Sequence, residues 1–452
     1  MSGRLIDRSA IYEHPARTVA LAFVVAIAIG TALLLLPFST QEGTSTDPLT
    51  ALFTASSAIC VTGLAVVDTG TYWSGFGQLV LLVLVQLGGL GLMTIASIIA
   101  MVVSRRLGLR MALIASRERS TLNLGDVRRV LQGVALVTLG IEATAAVILA
   151  LRLRFAYDYA WSDAAWHGLF HSITAFNNAG FSLYADSLTR FATDVVVIGV
   201  ISVAIVVGGL GFPVLVDLYE HRRERRWPML TLHSRMTIVA TACLLVAGVV
   251  WVGVAEWTNP ATLGRAGVLD KGVLAGFASV SPRTAGFNAI DVGAMTDVGL
   301  LGTMVLMFIG AGSAGTSGGI KVGTFSVLAL LVWSQLRGTE DVTVFRRRIS
   351  GLVQREATTV ILLGFASVVA AVVVLLGTSP FPLRDAAFEA ISAFGTVGLS
   401  TGITPMLGGV SQLVLIAIML IGRVGPVTLG MALVLKRRDA RIRYPEEAPL
   451  IG

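Results

Sequence analysis

The chain has 452 residues, of which 55% are hydrophobic and 13% are charged, and its mean hydropathy is +0.81. Soluble domains carry roughly 25% charged residues, so the composition excludes an ordinary soluble protein and indicates a polytopic membrane protein. The formal net charge is +7. We interpret this charge as a signal of membrane topology and expect no nucleic-acid partner.

Eight apolar runs mostly reach the roughly 20 residues that a helix needs to cross a bilayer. The sequence therefore predicts an all-α protein with eight transmembrane spans. No cleavable signal peptide is expected, because the first run is too long and lacks a small-residue cleavage site. The runs are Val19–Leu36, Phe76–Val103, Val130–Leu151, Val195–Val216, Met236–Val254, Val298–Val332 (interrupted), Val360–Leu376 and Val410–Leu435.

The basic residues are unevenly distributed between these runs. Of the 34 Lys and Arg residues, 25 lie before the first run or in the segments that follow every second run. By the positive-inside rule, both termini are expected in the cytoplasm. These segments are Ser104–Arg129, Glu220–Arg235, Gln335–Arg355 and the tail after Leu435.

Four short loops share one pattern, in which a short amphipathic run is followed by two residues, a glycine and a large apolar residue. The glycines lie 117, 106 and 112 residues apart, and a regular period of this kind predicts four copies of one unit. The predicted units are 1–110, 111–228, 229–340 and 341–452. The loops are Val61-Thr62-Gly63-Leu64, Asn178-Ala179-Gly180-Phe181, Thr284-Ala285-Gly286-Phe287 and Thr396-Val397-Gly398-Leu399.

Each loop follows a helix that is too short to cross a membrane, such as Pro48–Ile59 or Asp385–Phe394. We therefore expect each unit to contain a span, a re-entrant helix with its loop, and a second span. Asp47 and Pro48 are suited to begin the first short helix as cap and first-turn residue. A second glycine cluster recurs 24 to 28 residues after each loop glycine, at Gly88-Gly89, Gly208-Gly209, Gly310 and Gly422.

The loop chemistry points to a monovalent cation. Glycine allows backbone conformations that turn carbonyl oxygens toward a common axis, and a ring of carbonyls can replace the hydration shell of K⁺. The side chains in the loops are neutral, which argues against divalent cations. We expect K⁺ to bind only at this filter, built from residues 61–63, 178–180, 284–286 and 396–398.

The second span of the third unit is interrupted by glycines. Five of the ten residues from Gly310 to Gly319 are glycine, and a regular helix is weak in such a stretch. We expect a mobile loop below the filter; the alternative is a close helix-packing patch of small residues. Lys321, inside a span, favours the functional loop. The five glycines are Gly310, Gly312, Gly315, Gly318 and Gly319.

Four other polar residues lie in predicted helices. Arg423 in mid-span either lies in the conduction path or belongs to a structural ion pair, and the sequence favours neither. Glu142 is either functional or paired with a polar neighbour. His167 and His171, at i and i+4, lack a third ligand, so a structural or vestibule role is preferred to a metal site.

Five segments resemble the KtrB/TrkH superfamily of potassium-uptake membrane subunits, and are closer to its KtrB branch. The resemblance covers about residues 15 to 445. It implies four M1–P–M2 repeats (span, pore helix and filter loop, span) around one pseudo-fourfold pore. The segments are CVTGLAVVDTGTYW, FNNAGFS, SPRTAGFNAID, FGTVGLSTG and IGRVGPVTLGMAL.

The same resemblance implies functional roles and partners. The filter glycines would be Gly63, Gly180, Gly286 and Gly398, the intramembrane gating loop Gly310–Gly319, and the pore-facing arginine Arg423. Ala314, Thr316 and Ser317 interrupt the glycines of that loop. The family further implies a homodimer in the lipid of a bacterial cell membrane, controlled by a cytosolic KtrA/TrkA-like ring with nucleotide-binding RCK domains.

Some functions remain open or are disfavoured by the sequence alone. Na⁺ as an activator is left open. No GxxxxGK[ST] motif occurs, so we expect nucleotide to bind a partner and not this chain. A secondary transporter would use inverted repeats, whereas these units run in parallel. An enzyme is not expected, because no catalytic constellation is evident.

Overall fold

The structure, a computed structural model, describes residues 15–91, 94, 124–223 and 227–435. Its regular elements are helical apart from one antiparallel hairpin, β1 (Thr343–Val344) and β2 (Arg347–Arg348). The α-helices are α1 (Pro15–Leu34), α2 (Pro48–Ile59), α3 (Thr69–Tyr72), α4 (Gly75–Gly91), α5 (Leu124–Tyr157), α6 (Trp161–Phe176), α7 (Val195–Leu210), α8 (Phe212–Glu220), α9 (Leu232–Glu256), α10 (Val268–Val280), α11 (Asp297–Phe308), α12 (Val322–Leu336), α13 (Gly351–Thr378), α14 (Leu383–Gly395) and α15 (Gly409–Leu435). Short 3₁₀ turns lie at Pro37–Ser39, Thr189–Phe191, Trp227–Met229 and Thr404–Met406.

One order of elements occurs four times along the described chain: a helix, a short helix, a glycine loop and another helix. The first unit contains α1, α2 and α4, and the second contains α5, α6 and α7. The third contains α9, α10 and the pair α11 and α12, and the fourth contains α13, α14 and α15. The boundary predicted at residues 110 and 111 lies outside the described residues.

The first short helix begins and ends where the local sequence predicts, at Pro48 and Ile59, and the fourth extends slightly beyond its predicted range of Asp385–Phe394. Asp47 accepts hydrogen bonds from the amides of Leu49 and Thr50 at 3.0 and 3.1 Å, which satisfies amides at the start of α2 that have no partner within the helix. At 12 residues α2 is about 18 Å long, well short of a bilayer core of about 30 Å. Each short helix also buries a phenylalanine, at Phe53, Phe170, Phe277 and Phe388.

Two of the predicted spans are broken. The run Val195–Val216 was expected to be a single span, but α7 and α8 meet at an angle of 94° at Gly211, which has φ +92°. Pro213 in the first turn of α8 is compatible with a helix start there. In the third unit the predicted interruption is observed, because α11 ends at Phe308 and α12 begins at Val322.

In the part of the chain that the structure describes, three helices are individually long and apolar enough to cross a membrane. They are Gln132–Tyr157, Leu232–Glu256 and Gly351–Thr378. The bent pair of α7 and α8 makes a fourth if it is taken as one span. Shorter apolar helical stretches of 10–17 residues lie at Val19–Leu34, Pro48–Ile59, Gly75–Gly91, Asp297–Phe308, Val322–Leu336 and Gly409–Gly425. The predicted span Phe76–Val103, the basic segment after it and the tail after Leu435 extend outside the described residues.

The four units pack in a closed cycle. Between the first and second units, Trp166 Nε1 donates to Gln78 Oε1 at 2.8 Å. Helix α7 of the second unit packs on α10 of the third, and α11 of the third packs on α14 of the fourth. Helix α15 closes the cycle by packing on α1 and α2. The short helices and their loops therefore lie on the inside, where the most completely buried side chains are found.

Candidate functional site

The four glycine loops share one backbone conformation. Each glycine has a positive φ, at +89°, +68°, +76° and +93° in chain order. The residue two positions earlier in each loop also has a positive φ, although it is not a glycine: Val61 +57°, Asn178 +58°, Thr284 +75° and Thr396 +50°. Left-handed conformations at β-branched residues are costly outliers. Their recurrence at three of the four loops indicates a conformation imposed by the surrounding structure.

The four glycines lie against one another in a ring. A Cβ atom placed on Gly63 would lie 2.8 Å from the Cα of Gly180, and one placed on Gly180 would lie 3.0 Å from the Cα of Gly286. From Gly286 to Gly398, and from Gly398 back to Gly63, the corresponding distance is 3.1 Å. The structure therefore brings together the twelve predicted filter residues, which form four segments of three residues each. Successive segments are more than 100 positions apart in sequence.

Close approach of carbonyl oxygens explains why glycine is required. A Cβ atom on each ring glycine would collide with, or crowd, the carbonyl oxygen of the residue before the next glycine. A distance below 3.0 Å cannot be relieved when the neighbouring atom is backbone. The distances are 2.3 Å from Gly63 to Ala179 O, 3.0 Å from Gly180 to Ala285 O, 2.2 Å from Gly286 to Val397 O, and 2.1 Å from Gly398 to Thr62 O.

Serines in the short helices hold the first and fourth loops. The Ser57 carbonyl accepts from the Thr62 amide at 2.8 Å, and Ser57 Oγ accepts from the Gly63 amide at 3.1 Å. Ser392 makes the same pair of bonds in the fourth loop, at 2.8 and 3.2 Å. Both serines lie six residues before the ring glycine. Sequence reasoning missed them, although this shared spacing was a visible signal.

The short helices direct their carbonyl ends toward the ring. Helices α2 and α6 end two residues before their filter residues, α14 ends one residue before Thr396, and α10 ends four residues before Thr284. The C-terminal end of a helix carries a partial negative charge. Four such ends around one ring favour a cation and disfavour an anion. The side chains of the eight filter residues other than the ring glycines are neutral and buried.

The glycine-rich segment of the third unit packs against the fourth filter loop. We call residues 309–321, between α11 and α12, the intramembrane loop. Its Gly312 amide donates to Gly209 O at 2.7 Å, its Thr316 amide to Gly208 O at 3.2 Å, and its Gly319 amide to Gly422 O at 3.1 Å. A Cβ atom on Gly318 would lie 2.0 Å from Thr396 Oγ1. The loop thus contacts the second helices of the second and fourth units and the fourth filter loop.

Two cationic side chains bind the intramembrane loop through backbone carbonyls. Arg423 is 1% exposed and donates to Gly88 O at 2.9 Å and to Thr316 O. Lys321 donates to Ser317 O. No carboxylate among the described residues pairs with either. The structural ion pair left open for Arg423 is therefore absent from the described part of the chain.

The remaining polar candidates occupy the second unit. Glu142 is buried and accepts from Gln86 Nε2 and from Asn177 Nδ2, both at 3.0 Å. It is thus paired with polar neighbours. His171 interacts with His167 O at 2.8 Å and with Ser182 Oγ at 3.0 Å. In residues 15–91, 94, 124–223 and 227–435, no cluster of three or more His, Cys, Asp or Glu side chains could hold a metal ion.

Comparisons with known proteins agree on one family. A family model described as "TrkH: Cation transport protein" matches residues 10–440. The Ktr system potassium uptake protein B of Bacillus subtilis is 40% identical, over 97% of both chains. The Vibrio alginolyticus protein of the same name is 37% identical, over 96% of this chain and 94% of its own.

Two further comparisons extend this result. The potassium/sodium uptake protein NtpJ of Enterococcus hirae is 35% identical over 97% of both chains. The crystal structure of the potassium transporter TrkH from Vibrio parahaemolyticus superposes with a TM-score of 0.71 at 18% identity, covering 94% of this chain and 86% of that one. At that identity the likeness concerns the fold alone.

Proposed function

The chain belongs to the TrkH family of cation transport proteins, which are not enzymes, and we propose that it is the K⁺-selective ion-translocating subunit of a bacterial potassium-uptake system. The ring of Gly63, Gly180, Gly286 and Gly398 carries the proposal. Backbone carbonyls converge there, helix C-termini point toward it, and no carboxylate lies among its twelve residues. Such a site suits a dehydrated monovalent cation.

The four units correspond, in this proposal, to four M1–P–M2 repeats around one pseudo-fourfold pore with eight spans. Their cyclic packing and the repeated order of helices support it. The distribution of Lys and Arg supports cytoplasmic termini in a multi-pass protein of the cell membrane. K⁺ would then enter from the outer side, past residues 61–63, 178–180, 284–286 and 396–398.

Conduction would run inward down the electrochemical gradient. One positive charge moving inward across about 100 mV releases about 2.3 kcal/mol, which suffices for roughly a fortyfold concentration gradient. The intramembrane loop would act as the gate. Its support is its position: the Thr316 amide, carbonyl and hydroxyl bind Gly208, Arg423 and Phe176, respectively, so the loop crosses the path below the ring.

The proposal includes partners. Two of the relatives named above are Ktr system proteins by name, and we propose that this chain works as a homodimer with a cytosolic RCK regulatory ring that binds the nucleotide. Basic segments at the cytoplasmic face are the candidate docking surface. The name of the Enterococcus hirae relative includes sodium, so Na⁺ is a candidate activator or second substrate.

Growth of a potassium-uptake-deficient bacterium on limiting K⁺, with rubidium uptake, tests the proposal. The chain is expressed with its regulatory subunit as wild type, Gly398→Ser and Gly75→Ser. A Cβ atom on Gly75 meets nothing within 4 Å, so that variant is the matched control. Wild type and control should rescue growth, and Gly398→Ser should lose K⁺ preference over Na⁺. Equal rescue and equal selectivity by all three would refute the filter assignment.

A further inference from the structure

The four filter loops have nearly the same backbone conformation, but the residue three positions before the ring glycine differs from loop to loop. This position holds four chemically different residues: Cys60, Asn177, Arg283 and Gly395. Each lies where a short helix passes into its filter loop. The side chain in the third unit is therefore the one cation among four otherwise equivalent positions.

Arg283 is buried and binds two backbone carbonyls. It is 4% exposed, and its Nη1 donates to Thr241 O of α9 at 3.1 Å. Its Nη2 donates to Gly310 O, at the start of the intramembrane loop, at 3.3 Å. No carboxylate within the described ranges pairs with it. Among the described residues, backbone carbonyls stabilise this buried charge, so its bond to Gly310 is not incidental to a salt bridge.

The residue that Arg283 holds is part of a closed neck. The Gly310 amide donates to Ile320 O at 2.8 Å, and the Val322 amide donates to Ala311 O at 3.0 Å. Ile309 and Ile320 form a parallel β-bridge. These bonds join the two ends of the intramembrane loop to each other. Residues 309–311 and 320–322 thus form the neck, and residues 312–319 form the body.

The body is attached differently from the neck. It is held by hydrogen bonds to other units: Gly312 and Thr316 bond to α7, and Gly319 bonds to α15. Moving the body away from the ring would break those bonds and leave the neck bonds intact. Moving the neck would break the Arg283 bond and displace Arg283, which precedes the filter residue Thr284 directly.

We propose that Arg283 is a positioning residue that holds the neck against the third filter loop, so that the body moves about a stationary neck. This inference rests on the proposed conduction function. The planar guanidinium reaches Thr241 and Gly310 at the same time, whereas a lysine ammonium is a point charge and cannot reproduce that fork. A positive charge without the guanidinium geometry is therefore insufficient to hold the neck from position 283.

Arg283→Lys and Arg283→Gln test the proposal, with Arg384→Lys as the control. Arg384 lies at the exposed start of α14, where it pairs with Asp297 at 3.1 Å. Rubidium uptake and the K⁺ to Na⁺ uptake ratio are measured in proteoliposomes, per folded protein, with and without the regulatory subunit. Both Arg283 variants should raise uptake without the subunit, or lower the ratio, by about tenfold, which corresponds to one hydrogen bond to a charged group.

A purely structural role would reduce the amount of folded protein and leave both normalised values within twofold of wild type, which would overturn the proposal. The proposal would also be overturned if Arg384→Lys changed the uptake and the K⁺ to Na⁺ ratio as much as the Arg283 variants do. If wild type carries no rubidium, the conduction function itself is refuted and this inference goes with it. If wild type carries rubidium and the Arg283 variants match it in uptake and in the K⁺ to Na⁺ ratio, only the inference about Arg283 is refuted.

A cross-link provides a second test that keeps Arg283 intact. Ile309→Cys and Ile320→Cys are combined with Cys243→Ala, because Cys243 is exposed and Cys60 is buried. Paired residues of a β-bridge are close enough for a disulfide. If the neck is stationary, the oxidised protein should conduct within twofold of its reduced form. A tenfold loss on oxidation that reverses on reduction would overturn the proposal.

Discussion

Arg423 and Gly88 lie 335 positions apart in sequence, yet the Arg423 guanidinium donates to the Gly88 carbonyl at 2.9 Å. The same guanidinium donates to the carbonyl of Thr316 in the intramembrane loop. One side chain of the fourth unit therefore ties the second helix of the first unit to the centre of a loop from the third. The loop is therefore held directly by the second and fourth units and is linked to the first unit through Arg423.

Arg423→Lys should loosen the intramembrane loop. Lysine keeps the charge but cannot bridge Gly88 and Thr316 at once, and a hydrogen bond to a charged group contributes about 1.5 kcal/mol. We expect about tenfold higher rubidium uptake without the regulatory subunit. The measurement is uptake into proteoliposomes, with Arg384→Lys as the control. Uptake that still depends fully on the regulatory subunit would contradict the prediction.

The four ring glycines should differ in their tolerance of alanine. A Cβ atom would lie 2.1 to 2.3 Å from a carbonyl oxygen at Gly63, Gly286 and Gly398, but 3.0 Å away at Gly180. Gly180→Ala should therefore retain the most K⁺ selectivity, with a residual cost of about 1 kcal/mol from its positive φ. Competition between rubidium and sodium uptake ranks the four variants. Equal loss at all four would show that steric approach does not determine selectivity.

Two glycines in the same helix should respond oppositely to alanine. In α7, a Cβ atom on Gly208 would lie 1.9 Å from Phe176 O, whereas one on Gly199 meets nothing within 4 Å. Gly208→Ala should destabilise the protein by about 1–3 kcal/mol through overpacking. Gly199→Ala should be neutral or stabilising by up to about 1 kcal/mol, because alanine favours helix. Thermal unfolding in detergent measures both, and similar shifts would refute the packing argument.

Glu142 should be more important as a hydrogen-bond acceptor than as a charge. It accepts from both Gln86 and Asn177 at 3.0 Å, and Asn177 precedes the filter residue Asn178. Glu142→Gln keeps one of the two acceptor oxygens and turns an NH2 group toward the other donor, so it should cost less stability than losing both oxygens. Glu142→Leu removes both acceptor oxygens. Gln86 Nε2 then loses its acceptor, whereas Asn177 Nδ2 keeps Gln86 Oε1 and Ile173 O. We expect a cost of about 1–3 kcal/mol. Thermal unfolding distinguishes them, and equal losses would mean that the carboxylate charge is what the site requires.

Asp194, at the start of α7, should make stability depend on pH in the acid range. Burial raises the pKa of its carboxyl, but hydrogen bonds from Arg152, the Val197 amide and Tyr157 outweigh burial and hold the pKa below its ordinary value of 3.8. The unfolded chain therefore takes up a proton first, and the stabilisation is lost as pH falls through the folded pKa.

Asp194→Asn tests this dependence. The stability difference between wild type and variant should be constant from pH 5 to 8 and should shrink below about pH 4. Asp186→Asn is a useful comparison, because Asp186 pairs with Arg190 on the surface and contributes less. A difference that stays constant down to pH 2.5 would contradict the assignment.

The elements that depend on local sequence were predictable. The start of α2 at Pro48, with Asp47 as its cap, follows from adjacent residues and is observed. The interruption in the third unit follows from five glycines in ten residues. The bend of 94° at Gly211 was missed, although Gly208, Gly209, Gly211 and Pro213 cluster there, because glycine and proline are also common in membrane helices.

The sequence by itself determined the class of protein, the four glycine loops and their spacing, because hydropathy and repeat period can be read from short stretches of chain. Only the tertiary structure decided which carbonyl oxygen meets which ring glycine, and which carbonyls Arg283 and Arg423 bind. Those partners lie 27 to 335 positions apart. A buried cation can be compensated by a carboxylate or by backbone carbonyls, and only the packing of distant segments selects between the two.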